Sequence, residues 1–196
     1  MIPLVQQSGD LMTVEEFLAW NPGDGQMWQL FNGVPTAMAP PSVRHGAVQA
    51  ELARLIGNHL VAQGSPCSLV VTPGVVTPVH ADRNMRVPDL GVSCTDPVDD
   101  AGALVDPILL IEVLSPGNQT ETWLNVWTYT LVPSVQEILV LHTTSVRADL
   151  LCRGPDGAWP MAPERVTEGD LALDSIAFRT PLADLYRTTG LRRAAG

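Results

Sequence analysis

Two carboxylates sit where carboxylates are expensive. Asp89 opens the apolar part of RVPDLGVS (residues 86–93), and Glu112 lies inside a second apolar run, DPILLIEVLSP (106–116). A charged group in a strand that reads as buried must be compensated. The acids come from successive predicted strands, 23 positions apart. Carboxylates meeting on adjacent strands can hold a hard divalent cation, Mg²⁺ or Mn²⁺, whose shell is completed by water and substrate phosphate. Such a metal lowers the pKa of a bound water and stabilises charge on phosphorus. The alternative is structural: Asp89 closes a turn after Pro88, and Glu112 faces solvent at a sheet edge. Geometry separates the two, because no single cation joins carboxylates more than about 8 Å apart or on opposite faces of a sheet.

These acids need elements to position them. The pattern predicts strands centred on Leu90 and Ile111, separated by the acidic loop TDPVDDAGALVDP. The clearest helix is SVRHGAVQAELARLIGNHLVAQG (42–64), where Val48, Leu52, Leu55, Ile56 and Leu60 share a stripe. Ser42 is placed to cap it and Gly64 to end it. MTVEEFLAW (12–20) offers a capping box, Thr13 with Glu16. QMWQLFNGVPTAMAP (26–40) reads as a hairpin turning at Asn32-Gly33. CSLVVTPGVVTPV (67–79) reads as a broken strand or a hairpin, and HADRNMRVP as loop. GNQTETWLNVWTYTLV (117–132) reads as a helix, since Leu124, Trp127 and Leu131 sit three and four apart; Trp123, Trp127 and Leu131 are expected in the core. SVQEILVLHTT (134–144) and SVRADLLCRG (145–154) read as paired strands. LALDSIAFRT adds strand, and PLADLYRTTG adds a last helical turn starting at Pro181. The expected fold is an α/β (α+β) domain with a mixed sheet.

Bulk properties narrow the class. The 196 residues, 45% hydrophobic, suffice for one domain, residues 1–196, and no apolar run is long enough for a membrane span. The start, MIPLVQQSGDLM, lacks the pattern of a signal peptide. Cys67, Cys94 and Cys152 are widely spaced and odd in number, and read as free thiols in a reducing cytoplasm. The net charge is −10, and all 11 basic residues are Arg. An acidic surface repels phosphate backbones, which disfavours DNA as a partner unless a local Arg patch overrides it. The Arg residues of the terminal LRRAAG read as a solvated tail.

In order along residues 12–142 stand TVEEFL, WQLFNG, PSVRH, RVPD, DPILLIEVLSP, a helix reaching Tyr129, and VQEILVL. This succession resembles the Uma-type family of putative restriction endonucleases within the PD-(D/E)XK, restriction-endonuclease-like superfamily. The resemblance implies a mixed central sheet flanked by helices, with an extra N-terminal hairpin and C-terminal strands packed on the same domain (145–190). It implies a metal-dependent endonuclease in which Asp89 and Glu112 hold Mg²⁺ or Mn²⁺ and the Val113 carbonyl supplies a further ligand. His45 matches the family's helix-start histidine. The plainer reading of His45 is a helix-entry residue bonded to local backbone. Gln49 lies one turn on, on the same helix face. A homodimer is expected, as nucleases of this superfamily often cut as dimers.

The chain departs from the family pattern at two places. Gln29 stands where the hairpin usually carries Glu; an amide can ligate or hydrogen-bond but brings no charge. The catalytic Lys, which orients the attacking water, is missing. The superfamily spacing puts Leu114 there. The Uma-type pattern, anchored on Tyr129, puts Asn125 there with Glu121 at the acid position, both on one helical face. Asn125 can position water without a positive charge. Arg83 and Arg86 are the nearest cations, though an arginine is a poor proton shuttle. Three readings follow: a DNA phosphodiesterase, an inactive or weakened nuclease-fold module for binding or assembly, and a hydrolase of small substrates.

Overall fold

The computed structural model describes residues 11–95 and 102–191. The first ten residues, much of the acidic loop and the end of the LRRAAG tail lie outside them. In chain order the described elements are α1 (Val14–Ala19), β1 (Trp28–Phe31), β2 (Val34–Ala37), α2 (Val43–Ala62), β3 (Ser68–Val71), β4 (Val75–Val76), β5 (Met85–Arg86), β6 (Leu90–Ser93) and β7 (Pro107–Leu114). They continue as α3 (Gln119–Tyr129), β8 (Glu137–His142), β9 (Ala148–Cys152), β10 (Glu164–Val166), β11 (Asp170–Leu173) and β12 (Phe178–Pro181). Short 3₁₀ turns cover Asp174–Ile176 and Leu182–Tyr186.

The central sheet has the order β10-β9-β8-β7-β6-β3. Its β7–β8 pair is parallel and the other pairs are antiparallel, so the sheet is mixed. Strand β7 is central and nearly all apolar, as a strand covered on both faces must be. On one face α2 buries Val48, Leu52, Ile56 and Leu60 against Leu109, Ile111 and Val113. On the other, Val126 and Tyr129 of α3 meet Leu110, Leu114, Ile138 and Val140. Period-two alternation therefore turns Glu112 toward α3. The C-terminal segment joins the α2 side, with Leu171, Leu173, Phe178, Leu182 and Tyr186 in the same core.

Local signals hold where the chemistry is strong. Thr13 and Glu16 form the reciprocal capping box. Ser42 accepts the His45 amide N–H at 3.2 Å. The hairpin turns on Asn32 and Gly33, both at positive φ (48° and 80°), the geometry that favours Asn-Gly. Residues 67–79 form a broken strand and not a hairpin, with β3 in the central sheet and β4 in a second sheet of order β2-β1-β5-β4.

Three expectations are corrected. Cys67 and Cys94 are joined by a disulfide, beside the β3–β6 pair Ser68↔Ser93, so they are not free thiols. The cysteine argument for a reducing compartment therefore loses its premise, and Cys152 alone is free. The helix at residues 117–132 forms, but Leu124, Trp127 and Leu131 are exposed. Its buried side carries Thr122, Asn125, Val126 and Tyr129 instead. The stretch HADRNMRVP contains β5, whose two residues are too few to show alternation. No described helix is long and apolar enough to cross a membrane.

Candidate active site

The site forms where the chain leaves one sheet for the other, between Arg86 at the end of β5 and Leu90 at the start of β6. The register Leu90↔Ile111, continued by two residues, sets Pro88 opposite Val113. Proline has no N–H, so the ladder cannot continue there and Pro88 donates nothing to the Val113 carbonyl. The chain bends, and the Asp89 side chain takes the place of a ladder acceptor: the Val113 N–H donates to Asp89 Oδ2 at 2.6 Å. The other oxygen, Oδ1, lies 2.7 Å from His45 Nε2, whose N–H serves as donor because a carboxylate only accepts. The Asp89 backbone carbonyl accepts from Gln49 Nε2 at 2.9 Å and from the Thr72 N–H at 3.0 Å.

Glu112 is 6% exposed and accepts the Tyr129 hydroxyl at 2.8 Å. Burial pushes its carboxyl well above the usual range; the Asp89 charge adds to the shift, and the Tyr129 hydrogen bond opposes it. Burial, with the Glu112 charge, likewise raises the Tyr129 hydroxyl. Glu121 accepts from Gln29 Nε2 at 2.6 Å, while Gln29 Oε1 is buried without a hydrogen-bond partner.

Arg86 sits behind this cluster, opposite Gln29 if the Leu30↔Met85 register is continued by one residue. It is 3% exposed; its Nη1 donates to the Leu30 carbonyl at 2.6 Å, and its guanidinium carbon lies 4.4 Å from the centroid of the Phe31 ring. Burial lowers its pKa, against the pull of Tyr129 and Glu121. It is a buried guanidinium within electrostatic reach of Tyr129 and Glu121.

A cleft of about 610 Å³ opens here. His45, Gln49, Asp89, Glu112, Ser115, Glu121 and Asn125 line it, and Met27, Met38, Pro40, Pro41 and Val71 make an apolar wall. Six residues singled out in the sequence, His45, Gln49, Asp89, Glu112, Glu121 and Asn125, line the cleft. Val113, Tyr129 and Gln29 each donate to one of its carboxylates, those of Asp89, Glu112 and Glu121, while Arg83 is not in the lining. Ser115 was not singled out; its Oγ lies 3.5 Å from His45 Nδ1, and its only trace in the sequence is the LSP that follows β7.

The donor set suits a hard cation: two carboxylates on one cleft and the Val113 carbonyl, whose register partner Pro88 has no N–H to donate. Among the described residues no cluster of three or more His, Cys, Asp or Glu stands ready as a metal cage. That is compatible with Mg²⁺, which keeps several waters and takes few protein carboxylates.

Comparisons with known proteins agree with this architecture. A crystal structure described as a putative nuclease belonging to DUF820 from Anabaena variabilis superposes with a TM-score of 0.70 at 19% identity, covering 89% of this chain and 97% of that one. The two chains therefore share one mixed α/β fold. An uncharacterised protein of Synechocystis sp., slr1290, is 28% identical over 179 residues, 90% of this chain and 92% of its own. The model of the Uma2 family, described as putative restriction endonuclease, matches residues 14–179, and the chain belongs to that family.

Proposed function

We propose that the chain is a metal-dependent phosphodiesterase acting on DNA, with Asp89, Glu112 and the Val113 carbonyl holding Mg²⁺ or Mn²⁺. One observation carries the reading. Glu112 is buried and shares one cleft with Asp89, an arrangement that costs stability unless a cation neutralises both acids. When bound, the metal supplies an activated water and a counter-charge for phosphorus. The chain's own groups do the rest. His45 and the Val113 N–H fix the Asp89 carboxylate, and Tyr129 fixes Glu112. Asn125 faces the cleft at the position of the family's lysine and can orient a water by hydrogen bonds. Arg86 supplies a fixed positive charge that Asn125 cannot.

Plasmid DNA incubated with Mn²⁺ or Mg²⁺ tests this. Wild type should nick or cut it, while Asp89→Ala and Glu112→Ala should not. Cleavage that persists in both variants would overturn the assignment. The neutral Asn125 favours a second reading, a weakened nuclease-fold binding module, since a group aimed at developing charge commonly contributes about 10²–10³ in rate. Absence of cleavage with either metal, together with Mn²⁺-dependent thermal stabilisation of wild type, would select it.

A further inference from the structure

The cleft poses an electrostatic difficulty. Its lining holds Asp89, Glu112 and Glu121 and no arginine, and the whole chain carries −10. A polyanionic substrate needs positive charge close by. The structure gathers it on one lip, around an acid remote from the carboxylate pair.

Asp149, on β9, is 0% exposed. Arg147 grips it through Nε (3.0 Å) and Nη2 (2.6 Å), and His142 Nε2 lies 2.7 Å from the same carboxylate. Arg165 of the neighbouring strand β10 adds its Nε at 3.6 Å. Burial opposes the Asp149 charge, but the hydrogen bonds from Arg147 and His142 outweigh it and hold the carboxyl below its usual range. One buried carboxylate needs one cation, and this one has two guanidiniums and an imidazole. The surplus faces outward: the Arg165 side chain is 62% exposed and that of Arg147 27%. Alternation along β10 sends Glu164 to the other face from Arg165.

The cluster adjoins the cleft. Thr143 follows His142 and donates through both its N–H and its hydroxyl to the Leu114 carbonyl, each at 3.0 Å. Leu114 precedes Ser115 of the lining. The Thr143 carbonyl accepts from Arg44 Nη1 at 3.2 Å. Arg44 is exposed and lies between Ser42 and His45, both in the lining. Three arginines against one buried acid leave a surplus of two positive charges on this lip.

We propose that Arg44, Arg147 and Arg165 form a lip that holds the phosphodiester backbone of a nucleic acid at the mouth of the carboxylate cleft. The inference deepens the phosphodiesterase reading and rests on it for what happens beyond the lip. Asp149 acts by orientation: it pins Arg147 and draws Arg165 onto one side of the sheet end.

The test is binding of fluorescein-labelled single-stranded and duplex oligonucleotides, followed by anisotropy in EDTA from about 50 to 200 mM salt. Arg44→Ala and Arg165→Ala leave the Arg147–Asp149 pair in place and so avoid stranding a buried acid. Each should weaken binding severalfold and flatten the slope of log affinity against log salt by about 0.7 for single strands and 0.9 for duplex. Arg179→Ala, an exposed arginine 4.0 Å from Asp170, should leave the slope unchanged. Hydrolysis of bis(p-nitrophenyl) phosphate with Mn²⁺ should match wild type in Arg179→Ala. Unchanged slopes in Arg44→Ala and Arg165→Ala, or an equal change in Arg179→Ala, overturn the lip. So does Arg44- and Arg165-dependent binding to phosphatidylserine vesicles without oligonucleotide binding. If wild type fails to hydrolyse the small diester while the slopes still change as expected, the lip stands and the phosphodiesterase reading fails.

Discussion

Glu112 shows at the scale of one residue how function competes with stability. Its folded-state pKa lies above the ordinary 4.5, so the folded protein binds a proton that the unfolded chain releases. Between those two values, metal-free stability therefore falls as pH rises. Glu112→Gln stays neutral and keeps an oxygen for the Tyr129 hydroxyl. In EDTA it should melt above wild type at pH 7.5 and match it near pH 4, gaining about 2–4 °C for each kcal/mol relieved. With Mn²⁺ the order should invert. Parallel melting curves across that range would sink the account. Asp89 and Glu112 were legible in the sequence because acids in apolar runs are rare enough to need a reason. The hold on Asp89 was not, because its donors, the Val113 N–H and the His45 ring, reach it only once β7 and α2 are assembled around it.

Among the elements, α3 teaches most. Its apolar spacing correctly announced a helix and pointed to the wrong face. Leu124, Trp127 and Leu131 are exposed, while the inner face carries Thr122, Asn125 and Tyr129. A helix that lines a polar cleft must turn polar residues inward, so the rule that places apolar residues inside reverses at a working site. The C-terminal strands show the converse, a polar residue whose work is structural. Glu137 on β8 is buried, and its carboxylate accepts the backbone N–H groups of Asp174 (3.0 Å) and Ser175 (2.9 Å) and the Ser175 hydroxyl. It ties the turn between β11 and β12 to the central sheet. Glu137→Ala should cost about 3 kcal/mol, since bonds to a charged acceptor contribute about 1.5–3 kcal/mol each and the donors are left without it. Urea unfolding reads the loss, and amide exchange should quicken first at residues 170–186. Unaltered exchange there would remove Glu137 from this role.

The whole molecule is closed by a bond that residue types could not reveal. Pairing Cys67 with Cys94 requires the register of β3 against β6, and that register emerges only when the sheet is assembled. The bridge spans 27 residues of sequence separation, for which chain entropy gives about 3–4 kcal/mol. Dithiothreitol should therefore lower the urea midpoint of wild type and leave that of a Cys67→Ala/Cys94→Ala variant where it was. An equal response from both would mean that the bridge contributes nothing in solution. The global charge was equally legible and equally incomplete. The value of −10 describes the average surface, whereas the arginines around Asp149 are brought together by strand pairing between β9 and β10.

Pro88 lies midway along a short measured span. Arg86 ends in one sheet and Leu90 begins in the other, so the chain between them works as a ruler as well as a source of side chains. Each added or removed residue in an extended segment reverses the direction of every side chain beyond it. An insertion here would leave all the chemical groups present in the sequence and turn Asp89 away from β7. A residue inserted in the exposed turn at residues 155–158 would disturb no part of the cleft. Along this stretch, heredity can change letters more safely than it can change length.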